Sequence, residues 1–166
     1  MSARLRSLAP PLYLLALLMC VVPLVDLVAA LRPYQLGSAH WRYGAIGLLG
    51  NALMLPLAGL VIATATAVLL EHTRTRRALA YLSLAGAAML LVTMGDFTLD
   101  ALQIRTSLPG EVMTRFAFAS ALSLLKQAFG LALLASIGVG QLRALRGRKT
   151  AAQSAEPMPL LATATA

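Results

Sequence analysis

Four long apolar segments dominate this sequence. They cover residues 10–31, 43–70, 78–103 and 111–145, and short polar links separate them. A helix of about 20 apolar residues is long enough to cross the hydrocarbon core of a bilayer. Lipid offers no partner to backbone polar groups, so helices are the simplest way to satisfy them. The sequence therefore predicts an all-α integral membrane protein, a four-helix transmembrane bundle with antiparallel neighbours.

Composition supports this interpretation over a soluble fold. Hydrophobic residues make up 59% of the chain and charged residues 12%, whereas soluble domains have about 45–50% and about 25%. The net charge of +8 would in a soluble protein suggest nucleic acid. Here the basic residues flank the apolar segments, which is typical of membrane topology signals, so we expect no nucleic-acid partner.

The distribution of basic residues predicts the orientation. Nine of them fall on one side of the four spans and four on the other. Because Lys and Arg are in excess in cytoplasmic segments, we expect both termini in the cytoplasm. Residues 1–9 would form a basic cytoplasmic N-terminus, residues 10–145 the membrane domain, and residues 146–166 a disordered cytoplasmic tail.

The first external link contains a short motif. The segments PYQLG at 33–37 and HWRYG at 40–44 resemble part of small bacterial four-span membrane proteins of unassigned function. The resemblance implies a bacterial inner (cytoplasmic) membrane and no mechanism. We expect His40, Trp41 and Arg42 to lie in a loop at the membrane–water interface, where Trp is enriched.

Polar residues interrupt each apolar span. They are Asp26, Asn51, Asp96 and Lys126. Each lies 17 to 20 residues from the cytoplasmic anchor of its own helix, which is roughly 25–30 Å along a helix axis. The four residues are therefore predicted to form one polar layer in the outer half of the membrane. Thr93 and Asp100 share a helix face with Asp96 and are secondary candidates.

Two hypotheses explain such a layer. In the first, Lys126 is neutralised by Asp96 or Asp26, and the pair fixes the register of the helices. In the second, the layer is a site for a proton, an ion or a small polar ligand, since ionisable groups inside a membrane often have a function.

Small residues recur at four-residue spacing in two spans, and glycines lie close together at the start of the second. The set consists of Gly44, Gly47, Gly50, Gly59, Ala63, Ala67, Ala128, Ala132, Ser136 and Gly140. Such residues let helices approach closely in lipid. They fit packing within the bundle, and they would also fit contact with another subunit.

No pattern in the sequence indicates a catalytic, cofactor or metal site. His40 and His72 are predicted on opposite sides of the membrane, which argues against haem held by two histidines. Cys20 is the single cysteine, and no nucleophile–base pair is visible. We therefore expect no cofactor and no metal, and we favour a non-enzymatic protein. An enzyme that acts on a lipid or quinone is the third hypothesis.

These features together predict a non-enzymatic accessory or interaction subunit of a membrane complex. The alternative is a small transporter, or an ion- or proton-coupled protein, that uses the Asp/Asn/Lys layer. Besides the bilayer and a membrane protein partner, anionic lipid is a candidate ligand. Its predicted site is the basic segment containing Arg143, Arg146, Arg148 and Lys149.

Overall fold

The computed structural model of the protein describes residues 7–154, and the side chains of residues 7–147. Within this range all regular structure is helical, and no strand is present. The helices are α1 (Ala9–Ala30), α2 (Ala39–Ala52), α3 (Met54–Leu69), α4 (Thr73–Arg105) and α5 (Gly110–Ser154).

Four helical units are long and apolar enough to cross a membrane. They are α1, the combined α2 and α3, α4, and α5 as far as Gly147. The expectation of an all-helical chain with four long apolar helices is confirmed for the described part of the chain.

A proline explains why the second unit consists of two helices. Leu53, between α2 and α3, keeps helical backbone angles, so the axis continues through it. Pro56 lies in the first turn of α3 and has no N–H to donate to the carbonyl four residues earlier. The Cys20 thiol of α1 donates to the Pro56 carbonyl at 3.4 Å. The predicted single span is thus one continuous path with a local break in its hydrogen bonds.

Ser38 determines where α2 begins. Its hydroxyl accepts a hydrogen bond from the Trp41 backbone N–H at 3.3 Å, which satisfies one free donor of the first turn. The helix consequently starts at Ala39. His40, Trp41 and Arg42, which we expected in a loop, therefore lie in the first turn of α2.

The end of α3 forms a Schellman motif, in which two backbone N–H groups just after the helix donate to carbonyls of its last turn. Glu71 N–H donates to Val68 O at 3.2 Å, and His72 N–H donates to Ala67 O at 3.0 Å. Glu71 adopts the left-handed conformation with φ +58°. This tight turn reverses the direction of the chain before α4 begins.

Helix α5 continues beyond its expected end. We placed residues 146–166 in a disordered tail, but residues 146–154 extend α5 as a helix. Ala, Arg, Lys and Gln are good helix formers, which explains the extension. Residues 155–166 of the expected tail, and residues 1–6 of the expected basic N-terminus, lie outside the described residues.

Glycines allow close contact in the two most extensive helix pairs, α4 with α5 and α1 with α3. A Cβ at Gly138 of α5 would lie 2.6 Å from Leu84 Cγ of α4. A Cβ at Gly59 of α3 would lie 2.7 Å from the Ala16 carbonyl of α1. Helix α1 contacts α2 and α3 but neither α4 nor α5, so it is the outermost helix of the described bundle.

The apolar core lies where α3, α4 and α5 meet. It is a cluster of buried side chains that consists of Leu57, Leu60, Ala87, Leu90 and Leu134. Most other large apolar side chains of the helices are exposed, including nearly the whole circumference of α1.

We predict that Gly59→Ala destabilises the protein, because the added methyl would collide with the Ala16 carbonyl, which is backbone and cannot rotate away. The expected loss is about 1–3 kcal/mol, typical of overpacking, although alanine is the better helix former. Thermal unfolding in detergent measures this. Gly95→Ala is the control, since a Cβ there meets no atom within 4 Å. Equal stability of the two variants would contradict close packing of α1 on α3.

Candidate functional site

Arg42 and Asp100 form an ion pair between the first turn of α2 and α4. Arg42 Nε donates to Asp100 Oδ2 at 3.0 Å, and Arg42 Nη2 donates to Asp100 Oδ1 at 2.5 Å. The side chain of Asp100 is 5% exposed and that of Arg42 is 37% exposed. Arg42 Nη1 also donates to the Leu36 carbonyl at 2.9 Å. One guanidinium therefore holds the α1–α2 connection against α4.

Tyr43 fills the adjacent space between α2, α4 and α5. Its ring stacks on Phe97 at 4.7 Å and on Phe116 at 5.0 Å between centroids. The Ser120 hydroxyl donates to the Phe116 carbonyl at 2.8 Å and lies 2.7 Å from the Tyr43 hydroxyl. Since the serine proton is already used, the phenol is the donor to Ser120. Two of these rings, Tyr43 and Phe97, line the same cleft as Asn51 and Lys126.

Lys126 and Asn51 meet between α5 and α2. Lys126 Nζ donates to Asn51 Oδ1 at 2.7 Å. Lys126 is half-buried and Asn51 is exposed. No carboxylate among the described residues lies within ion-pair distance of Lys126. The amide oxygen offers a partial negative charge only, so the lysine has a hydrogen bond but no counter-ion.

The other residues of the expected layer do not join this pair. Asp26 is exposed on α1, a helix that does not touch α5. Asp96 is exposed on α4, one helical turn before Asp100, the carboxylate that pairs with Arg42. Thr93 donates to the Leu90 carbonyl of its own helix at 3.0 Å. Of the four layer residues, the structure brings together Lys126 and Asn51.

Gln127 is a buried polar residue next to Lys126 that the sequence analysis did not single out. It is 0% exposed. Its Nε2 donates to Ser123 Oγ at 3.4 Å, while its Oε1 has no hydrogen-bond partner among the described residues. Two successive polar residues in an apolar span, with Ser123 one turn earlier, are the signal that would have identified it.

An open cleft of about 350 Å³ lies beside the Lys126–Asn51 pair. We call it the flank cleft. Its walls include Gly44, Gly47 and Asn51 of α2, Phe97 of α4, and Ser123 and Lys126 of α5. At Gly44 and Gly47 an added Cβ would meet no atom within 4 Å. The glycine face of α2 is thus unoccupied by any described part of the chain.

Some of the small residues predicted to form stripes face the inside of the bundle, and others face outwards. Gly59, Ala63 and Ala67 of α3 are buried inside the bundle. Ala132, Ser136 and Gly140 of α5 are exposed, because α5 turns a different face, that of Leu134 and Gly138, towards α4. Packing within the chain therefore accounts for the α3 stripe and leaves the α5 stripe uncovered.

No family model, no curated protein and no solved structure matches this chain. In the described part of the chain, no three His, Cys, Asp or Glu side chains lie close enough together to hold a metal ion. Its function therefore has to be inferred from its own side chains.

The Arg42–Asp100 pair predicts an unequal effect of two substitutions. Arg42→Gln leaves a buried carboxylate without its cation, so we expect a clear fall in Tm. Arg42→Gln combined with Asp100→Asn removes both charges and is expected to be more stable than Arg42→Gln alone. Thermal unfolding of both variants in detergent tests this. A double variant less stable than Arg42→Gln would show that the two side chains do not act as a pair.

Proposed function

We propose that this chain is an integral membrane protein that acts as a non-enzymatic accessory or interaction subunit of a membrane complex. The flank cleft carries the proposal, because it combines three features: a lysine with no counter-ion among the described residues, an exposed amide, and a glycine face that no described residue covers. These are the features with which helices bind one another in lipid.

The exposed surface supports insertion into a membrane. Apolar side chains such as Leu14, Leu17 and Val25 on α1 are about half exposed. Water would solvate this surface poorly, whereas lipid chains are as apolar as the side chains themselves. The excess of basic residues at one end supports cytoplasmic termini, and the resemblance of residues 33–44 supports a bacterial inner membrane.

The charge of Lys126 supports a partner at the flank cleft. A lysine near the centre of a membrane span costs about 2.5–3.5 kcal/mol on insertion scales. The hydrogen bond to Asn51 offsets part of that cost but supplies no opposite charge. A partner helix with a carboxylate at the same depth would neutralise Lys126 on binding.

The backbone of α2 supports a helix as the partner. Gly44 and Gly47 are one turn apart and leave the α2 backbone accessible from the cleft. A second helix can approach such a surface closely, which strengthens van der Waals contact. The outward α5 stripe of Ala132, Ser136 and Gly140 offers a further face of the same kind.

The decisive experiment is affinity purification of the tagged protein in mild detergent at native expression, followed by mass spectrometry. We predict a stoichiometric membrane protein partner for the wild type. Gly47→Leu is expected to reduce its recovery about tenfold, the effect of losing about 1.4 kcal/mol of contact free energy. Among the described residues, a Cβ at this position meets no neighbouring atom within 4 Å, and the rest of the leucine side chain can extend into the open cleft, so the fold should be unaffected.

Gly95→Leu is the matched control, because Gly95 is another helical glycine at which an added Cβ would meet no atom within 4 Å. Gly95 is not part of the flank cleft, so this variant should retain the partner. A wild-type protein that purifies alone, or a partner lost equally from both variants, would contradict docking at the flank cleft.

A transporter, or an ion- or proton-coupled protein, is the second candidate. Two observations favour it. Lys126 donates to Asn51 beside an open cleft, and the next residue along α5, the buried Gln127, has an Oε1 without a hydrogen-bond partner among the described residues. A protein that purifies alone and moves a solute or protons in liposomes, with activity lost in Lys126→Met, would support it.

A further inference from the structure

A second pocket lies at the opposite end of the bundle from the Arg42–Asp100 pair, between the start of α4 and the far part of α5. It has a volume of about 270 Å³ and is lined by Arg77, Tyr81, Leu142, Leu145 and Arg146. We call it the basic pocket. Two helices thus contribute one guanidinium each to the same concave surface.

The contact between α4 and α5 positions these two arginines. Arg76 is buried and its Nε donates to Gln141 Oε1 of α5 at 2.8 Å. Because adjacent helical residues point about 100° apart, Arg77 is directed away from this contact and is exposed. Gly138 keeps the two backbones close one turn away. The opening between Arg77 and Arg146 therefore lies beside a close contact of the two helices.

The depth of the basic pocket matches that of a lipid headgroup. Arg77 is the last basic residue before the apolar part of α4, and Arg146 follows the apolar part of α5. Leu142 and Leu145 form the apolar wall, and Tyr81 lies at the border, where tyrosine is enriched in membrane proteins. Both polar and apolar parts of a phospholipid would meet suitable surface there.

The charge of this end favours an anion. Five described arginines lie there, and Glu71 is the described acidic residue at the same end. The arginines are Arg74, Arg76, Arg77, Arg143 and Arg146. Guanidinium groups bind phosphate oxygens with paired hydrogen bonds, and basic pockets between membrane helices bind anionic headgroups.

We propose that the basic pocket binds the headgroup phosphate of an anionic phospholipid between Arg77 and Arg146. This inference rests on the proposed insertion of the chain into a membrane but not on the proposed partner at the flank cleft. It also changes the lipid site expected from the sequence, since Arg77 and Tyr81 join Arg146 while Arg143 does not line the pocket. The side chains of Arg148 and Lys149 lie outside the described residues.

Native mass spectrometry of the full-length protein in detergent tests the proposal, with phosphatidylglycerol and phosphatidylcholine as probes. The wild type should bind phosphatidylglycerol more tightly than phosphatidylcholine. Arg77→Gln combined with Arg146→Gln should weaken phosphatidylglycerol binding roughly thirtyfold, the effect expected when two arginines near an anionic lipid are lost. Equal affinity for the two lipids would overturn the proposal.

Arg74→Gln combined with Arg143→Gln is the matched control. It removes the same charge from the same two helices at the same end, but neither residue lines the basic pocket. It should bind phosphatidylglycerol nearly as the wild type does. An equal loss in both double variants would show that general surface charge attracts the lipid, and would overturn a site in the pocket.

Two further measurements complete the test. If the double glutamine variant is not helical and monodisperse, Arg77→Lys with Arg146→Lys replaces it. This variant keeps both charges but loses the planar guanidinium, so an intermediate affinity is expected and wild-type affinity would overturn the proposal.

Inorganic phosphate at millimolar concentration should not displace phosphatidylglycerol. Displacement would identify free phosphate as the ligand and overturn a lipid source.

Discussion

Glycines at three points of the α4–α5 contact allow the two longest helices to approach closely. Helices α2 and α3 pack against this pair, and α1 packs on α2 and α3. Gly86, Gly130 and Gly138 all leave space that neighbouring leucines fill. In a membrane there is no hydrophobic drive between helices, so this shape complementarity supplies the attraction. The same contact decides which face of α5 is covered. It places Gln127 inside the bundle and leaves Lys126 at its edge.

The ionisable side chains of the apolar helices have two different kinds of partner. Arg42 and Asp100 are matched in charge, and their contact is reinforced by the nearby stack of Tyr43 between Phe97 and Phe116. This pair has the chemistry of a structural clamp. Lys126 instead meets a neutral amide beside an open cleft. A lysine with no counter-ion among the described residues, next to an open helix face, supports the proposed partner at the flank cleft.

The two ends of the bundle also differ in what they offer. At one end, Arg42 of α2 donates hydrogen bonds to Asp100 of α4 and to the α1–α2 connection. Its charge is therefore paired within the bundle. At the other end, Arg76 donates to Gln141 within the bundle, and Arg77 and Arg146 line the basic pocket. The proposed lipid site and the proposed protein site thus lie on different surfaces, and each can be tested without disturbing the other.

The four apolar segments and their approximate limits could be predicted from the sequence, because segment length and hydropathy are local properties. The residues that interrupt the spans were equally visible, and the axial rise of a helix placed Asn51 and Lys126 at matching depth. Their partners were not predictable. Lys126 was expected to meet Asp96 or Asp26, yet Asp96 is exposed and α1 stays away from α5.

The tertiary structure decided these pairings because adjacent residues on a helix point about 100° apart. A small rotation exchanges a buried position for an exposed one. The rotation of each helix depends on contacts with its neighbours, such as Gly138 against Leu84 or Gly59 against Ala16. Sequence alone therefore determined the level of each residue along the axis of its helix. Packing between helices determined which residues face one another, the bundle interior or an open cleft.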